Sequence, residues 1–164
     1  MACGTLSICR SCIHKACCTS IQADGLIERA VATSDEISSI ERSTGKLRSE
    51  FSVPHGNGKL RFLSVNASVG CAFLGPDKTC TIYKHRPFDC RIFPFDLKFF
   101  GDVLWWITHE KFCGAEEPDR LEKVSELERM ISRIPLDVIE DFARIEMGLS
   151  ERKPIWRVKK FAYQ

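Results

Sequence analysis

Apolar positions along the chain follow three patterns, each of which predicts a different element. Between residues 24 and 46, Leu26, Ile27, Ala30 and Val31 lie on one helical face, and Ile37 and Ile40 restart the stripe after Ser34, the expected N-cap. Asp35 and Glu36 suit the positive end of that helix, and Gly45 is the expected C-cap. Pro54, Gly56, Asn57 and Gly58 predict a turn, followed by a strand through Leu60, Phe62 and Val65. Gly70 to Leu74 is its expected partner, closed by Gly75, Pro76 and Asp77. Phe95, Leu97 and Phe99 then alternate with Asp96 and Lys98, and Val103, Trp105 and Ile107 alternate after Gly101-Asp102. A hairpin with a two-residue type II′ turn is expected there.

Helical spacing returns over residues 119–148. Leu121, Val124, Leu127, Met130, Ile131 and Ile134 form one stripe, Pro135 interrupts it, and Val138, Ile139, Phe142, Ile145 and Met147 form a second. Two packed helices are predicted, their stripes serving as core. The tail over residues 152–164 is basic, with Arg152, Lys153, Arg157, Lys159 and Lys160 around Trp156 and Phe161, and reads as a solvated terminal strand or arm. The expected fold class is α+β: a small antiparallel sheet or hairpin with helices, and cysteine-rich loops bound to metal.

Composition narrows the function. At 164 residues the chain predicts a single domain over residues 1–164, and 44% hydrophobic with 28% charged residues is ordinary for a packed globule. A net charge of +2 gives no footprint for a polyanion, which argues against a nucleic-acid partner. No apolar run approaches membrane-spanning length and no secretory signal is visible, so a soluble, cytoplasmic protein without a membrane partner is expected. A protein partner stays open.

The outlying feature is nine cysteines, at positions 3, 9, 12, 17, 18, 71, 80, 90 and 113. Clustered thiols in a reducing compartment bind metal or do redox chemistry more often than they form static disulfides. Cys9 and Cys12 stand at a chelating step, in which a turn brings both sulfurs to one metal. Cys17 and Cys18 are adjacent, and adjacent side chains diverge in strand and helix alike. They serve two centres, or two irons of one cluster, or only one of them is a ligand. Cys71, Cys80, Cys90 and Cys113 complete eight ligands, with Cys3 left out as a non-ligand in the terminus. Among the histidines, only His14 and His85 stand near enough in sequence to replace a thiol, and surface positions are expected for both. No GxGxxG, P-loop, HExxH or CxxxCxxC motif occurs, which removes nucleotide-dependent, zinc-protease and radical readings. A thioredoxin-like exchanger is also disfavoured, since Cys9 and Cys12 do not open a helix in a βαβ setting.

Thiolate charge needs balance. Two zinc ions on eight thiolates would leave four negative charges, and a [4Fe-4S] centre on four would leave two. Arg10, Lys15, Arg86 and Arg91 flank the cysteines, and Arg86 and Arg91 are the candidates to hydrogen-bond the sulfurs.

Cys71-Ala-Phe-Leu, followed by Cys80-Thr-Ile-Tyr83-Lys-His-Arg86-Pro87-Phe-Asp-Cys90-Arg91-Ile-Phe93-Pro94, resembles the zinc- or iron-chelating YkgJ-like, or CxxCxxCC, cysteine-cluster family. The likeness covers residues 9–114. One departure is the N-terminal group, where four residues separate Cys12 from Cys17. The resemblance implies metal binding through cysteine, with iron-sulfur and zinc both proposed for such proteins, and it touches the longer flagellin lysine methylases. Three functions follow as expectations: an iron-sulfur module with a redox, sensing or enzyme-assisting role, a structural zinc domain for protein interaction, or a metal-dependent modifying enzyme. No catalytic residue can be assigned from the sequence.

Overall fold

The computed structural model describes residue 18 and residues 29–66, 70–93, 95–108, 124–145 and 154–158. The chain divides into two compact units, residues 13–91 and residues 92–164 with 1–12. The described elements are helices and small antiparallel sheets, an α+β fold.

In the first unit, β1 (Val31–Thr33), β2 (Ser52–His55) and β3 (Leu60–Leu63) form an antiparallel sheet with β3 central. Val31 pairs with Phe62 and Thr33 with Leu60, so residues 31–33, expected inside a helix, are strand. Val31 and Thr33 are β-branched, and Val31 and Ala32 are fully buried, an environment that favours a paired strand over an amphipathic turn. Residues 24–28 of the expected helix lie outside the described residues. The helix itself, α1 (Ser34–Thr44), starts one residue before expectation because Thr33 is the cap. The Thr33 hydroxyl accepts from the Glu36 N–H at 3.3 Å, and the Thr33 N–H donates to Glu36 Oε2 at 3.1 Å, a capping box. Gly45 ends α1 as expected, at φ +72°, its N–H reaching Glu41 O at 2.8 Å.

Ile37 and Ile40 of α1 bury their side chains with Ala32 and Leu63 of the sheet and with Phe51, Phe73 and Ile82. Phe51 closes the short α2 (Arg48–Phe51), its ring 5.2 Å from that of Phe73. The expected turn occupies residues 56–59, with the Gly58 N–H on His55 O at 3.0 Å, but Pro54 belongs to β2. As an edge strand, β2 tolerates a residue that cannot donate to a ladder. Two short strands follow, β4 (Val65–Asn66) and β5 (Gly70–Cys71), then a 3-10 turn at Tyr83–His85 and the five-residue α3 (Phe88–Ile92).

In the second unit, β6 (Phe95–Phe100) and β7 (Val103–Thr108) form the expected hairpin, Phe100 pairing with Val103 across Gly101-Asp102. Gly101 has φ +61° while Asp102 keeps a negative φ, as a type II′ turn requires. The tail adds a third strand, β8 (Pro154–Arg157), beside β7. Helices α4 (Val124–Ile131) and α5 (Leu136–Ala143) flank Pro135, and Leu127, Ile131, Ile139 and Phe142 are fully buried. The ends of the expected helical stretch, residues 119–123 and 146–148, lie outside the described residues. No helix among the described residues is long and apolar enough to cross a membrane.

Burial in β6 does not follow the alternation. Asp96 and Lys98 are as enclosed as Leu97, and they form an ion pair at 3.3 Å. Lys98 Nζ also donates to Ile145 O at 2.9 Å and stands 5.4 Å from the centroid of Phe142, which ties β6 to the end of α5. A buried pair broken on one side leaves an uncompensated charge. Lys98→Ala is therefore expected to cost about 3–5 kcal/mol in denaturant unfolding. Tryptophan fluorescence reads this directly, because Trp105, Trp106 and Trp156 all lie on β7 and β8; a loss below about 1 kcal/mol would show that the pair does not hold the sheet to α5.

Candidate metal centre

Two cysteines are presented by the same local device. At Cys71, the N–H of Phe73 donates to the sulfur and the N–H of Leu74 donates to Cys71 O at 2.9 Å. At Cys80, the N–H of Ile82 donates to the sulfur and the N–H of Tyr83 donates to Cys80 O at 3.2 Å. Each turn thus bonds the sulfur from position i+2 and the carbonyl from i+3. The apolar residue at i+2, Phe73 or Ile82, is 3% or 4% exposed and belongs to the core under α1. Burying it aims its N–H at the sulfur. The two turns are tied together by a bridge between Leu74 and Cys80 and by the Thr81 N–H on Phe73 O at 2.9 Å. Residues 75–79 close the excursion between them, the Gly75 N–H reaching Thr79 O at 2.8 Å. A Cβ at Gly75 would stand 3.3 Å from Thr79 O and 2.9 Å from Asp77 Oδ1, so a side chain there would displace the Asp77 carboxylate that accepts from Thr79 in this turn.

The third thiol, Cys90, sits in α3, which follows the buried Pro87. Two carboxylates hold this helix to the start of the sheet and of α1. Asp89 Oδ2 accepts the Val31 N–H at 2.8 Å. Glu36 Oε1 accepts the Phe88 N–H at 2.7 Å and Arg91 Nη2 at 2.8 Å, while its other oxygen serves the Thr33 cap. Burial pushes the Glu36 carboxyl above its ordinary value, against the opposing pull of the Thr33 N–H and Arg91. Neither Glu36 nor Asp89 was assigned to the site from sequence, where Glu36 read only as a helix-dipole residue.

Cys18 is the fourth described thiol, partly buried and within electrostatic reach of Cys71, Cys80 and Cys90. Burial pushes the Cys71 thiol up to about 11, with Cys18 and Cys80 adding to the effect. Cys90 is raised well above the ordinary thiol range by burial and then by the Asp89 carboxylate and the other three thiols. Burial also raises Cys80, and the Arg86 guanidinium pulls it the other way. In metal-free protein Cys71, Cys80 and Cys90 therefore keep their protons at neutral pH.

This donor set suits a thiophilic metal: four neighbouring sulfurs, two of them already accepting N–H bonds that stabilise sulfur charge. Among the described residues no group of three or more Cys, His, Asp or Glu is gathered to hold a single ion. His55 packs edge-on against Phe62, with ring centroids 4.7 Å apart, and His85 Nδ1 lies 3.3 Å from Ser39 Oγ. Cys9, Cys12, Cys17 and Cys113, with Cys3, His14, His109, Arg10 and Lys15, lie outside the described residues.

The two arginines differ. Arg86 stacks on Tyr83, its guanidinium carbon 3.8 Å from the ring centroid, and its Nε donates to Tyr83 O at 3.2 Å. That posture keeps its charge beside Cys80. Arg91 is engaged with Glu36. The signal that locates the paired turns is the repeated Cys-x-apolar-apolar at Cys71 and Cys80, which carries no weight until the i+2 residue is known to be buried.

A raised thiol pKa has a definite sign. Unfolded thiols ionise near the ordinary value of 9.0, whereas folded Cys71 keeps its proton to about 11. The stability this confers on metal-free protein is fully present below pH 9.0 and is lost as pH rises through about 11. In urea unfolding under reductant, Cys71→Ser should lose less stability than wild type across that window. Parallel pH profiles for the two proteins would show that Cys71 is not held protonated.

Residues 8–116 match the CxxCxxCC family, described as a "putative zinc- or iron-chelating domain". No curated protein and no solved structure matches the chain. The match spans most of the chain, including the paired turns, Pro87 and Cys90, and the chain belongs to the CxxCxxCC family.

Proposed function

We propose that the protein holds an iron-sulfur cluster on cysteine and uses it in a redox, sensing or enzyme-assisting role. Membership of a zinc- or iron-chelating family supports metal binding as such. The observation that supports a multi-thiol centre is that Cys18, Cys71, Cys80 and Cys90, from separate segments, are electrostatic neighbours in a chain of nine cysteines, more than one four-coordinate zinc ion can take. When bound, such a cluster supplies a one-electron couple.

The chain's own residues do the rest. Cys71 and Cys80 offer sulfurs whose negative charge is met by the Phe73 and Ile82 N–H groups, and Arg86 offsets charge beside Cys80. Arg91 contributes through Glu36. Phe73, Ile82 and Phe88 exclude water from beneath the thiols. The full ligand set we propose is Cys9, Cys12, Cys17, Cys18, Cys71, Cys80, Cys90 and Cys113, in a reducing, cytoplasmic setting where thiols stay available. Eight sulfurs are enough for two four-coordinate centres.

Protein purified without oxygen from cells supplied with both metals should contain iron with matching acid-labile sulfide and a brown chromophore. Zinc alone in colourless protein would overturn the cluster and favour a structural zinc domain. Cys12→Ser and Cys90→Ser should each lower metal content, and Cys3→Ser should not; equal loss in all three would refute the ligand set. Metal uptake releases thiol protons, so affinity should climb as pH rises through the neutral range. A pH-independent affinity in a chelator competition would exclude these buried thiols as ligands.

A further inference from the structure

Helix α3 has five residues, too few to hold itself by its own hydrogen bonds, yet it carries Cys90. Its place is set from outside. Glu36 joins three things: the cap of α1 at Thr33, the first N–H of α3 at Phe88, and the Arg91 guanidinium one residue beyond Cys90. Helix α1 also packs beside the Tyr83–His85 turn that follows Cys80, so its register bears on two of the thiols.

A capping-box glutamate needs only one oxygen, for the cap N–H. The second oxygen of Glu36 does something a cap does not require, and it does so largely shielded from water, with the side chain 18% exposed. Glu41 on the same helix gives the contrast in partners: its side chain is 22% exposed, and the hydrogen bonds of its carboxylate go to Arg48, through the backbone N–H, Nε and Nη2.

We propose that Glu36 is a positioning residue for the metal centre, holding the helix of Cys90 in register with the turns of Cys71 and Cys80. This rests on the metal reading above. Three donors converge on two oxygens, and one of those donors is a cation, so a carboxylate fits where an amide does not. In Glu36→Gln the new NH₂ group must face the Thr33 N–H or the Phe88 N–H and Arg91. Glu36→Ala removes both anchors, leaving Asp89 as the remaining carboxylate tie on α3.

The test compares metal-loaded full-length wild type with Glu36→Gln, Glu36→Ala, Thr33→Ala and Glu41→Gln. The readouts are the rate of metal transfer to a chelator and the visible and paramagnetic spectra. Thr33→Ala weakens the cap of α1 without touching α3, and so reports a purely structural loss. Glu36→Ala should release metal about tenfold faster or more and shift the spectra, Glu36→Gln should fall between it and wild type, and Thr33→Ala and Glu41→Gln should match wild type in both. If Glu36→Ala does not fold, Glu36→Gln against Thr33→Ala decides. Wild-type release and spectra in the Glu36 variants, or the same changes in Thr33→Ala, would overturn the positioning role. A wild type that takes up no metal would overturn the metal reading itself, a result distinct from either.

Discussion

The placement of Cys71 and Cys80 depends on the burial of two side chains, Phe73 and Ile82, in the core beneath α1. Each is worth roughly 1.5–3 kcal/mol as apolar surface removed from water. Their larger role is geometric, because each lies two residues after a cysteine and its backbone N–H bonds that cysteine's sulfur. A hydrophobic contact, which has no direction, is thereby converted into a directed one. The sheet and α1 supply the apolar surface, and the turns use it to fix two sulfurs that would otherwise lie on loops.

The polar half of the design solves a different problem. Cys90 sits on the short α3, whose Phe88 and Ile92 are fully buried and whose ends are also tied by carboxylates. Asp89 and Glu36 accept backbone N–H groups that would otherwise be orphaned at a strand start and a helix start. The cost is negative charge near a site that would gather more on binding metal. Arg91 offsets Glu36, and Arg86, stacked on Tyr83, is left to face Cys80. Two arginines that look equivalent in the sequence therefore carry separate charges.

The hairpin at residues 95–108 and the two C-terminal helices were legible because period-2 and period-3.6 patterns are strong there and Gly101 and Pro135 punctuate them. Gly45 was legible as a cap for the same local reason. Residues 31–33 were not, since Val31 and Ala32 fit a helical stripe as well as a strand, and only pairing with β3 decides between them. Asp96 and Lys98 read as the polar side of an alternating strand, but their mutual ion pair and Ile145 O let both be buried. At the site, cysteine identity was plain, and the spacing pointed to metal. The ties of Glu36 and Asp89 to the site were hidden because they join groups more than fifty residues apart, and two of them, at Phe88 and Val31, are made to backbone N–H groups, which leave no trace in side-chain pattern.

Thiols from separate segments, Cys18, Cys71, Cys80 and Cys90, are proposed to meet at one metal centre. The most direct test is anomalous diffraction from crystals of anaerobically loaded protein, recorded at the iron and zinc edges. Iron-edge density bonded to the Sγ atoms of these four cysteines is the expected result. Metal density away from them, or ligated without Cys71 and Cys80, would contradict it.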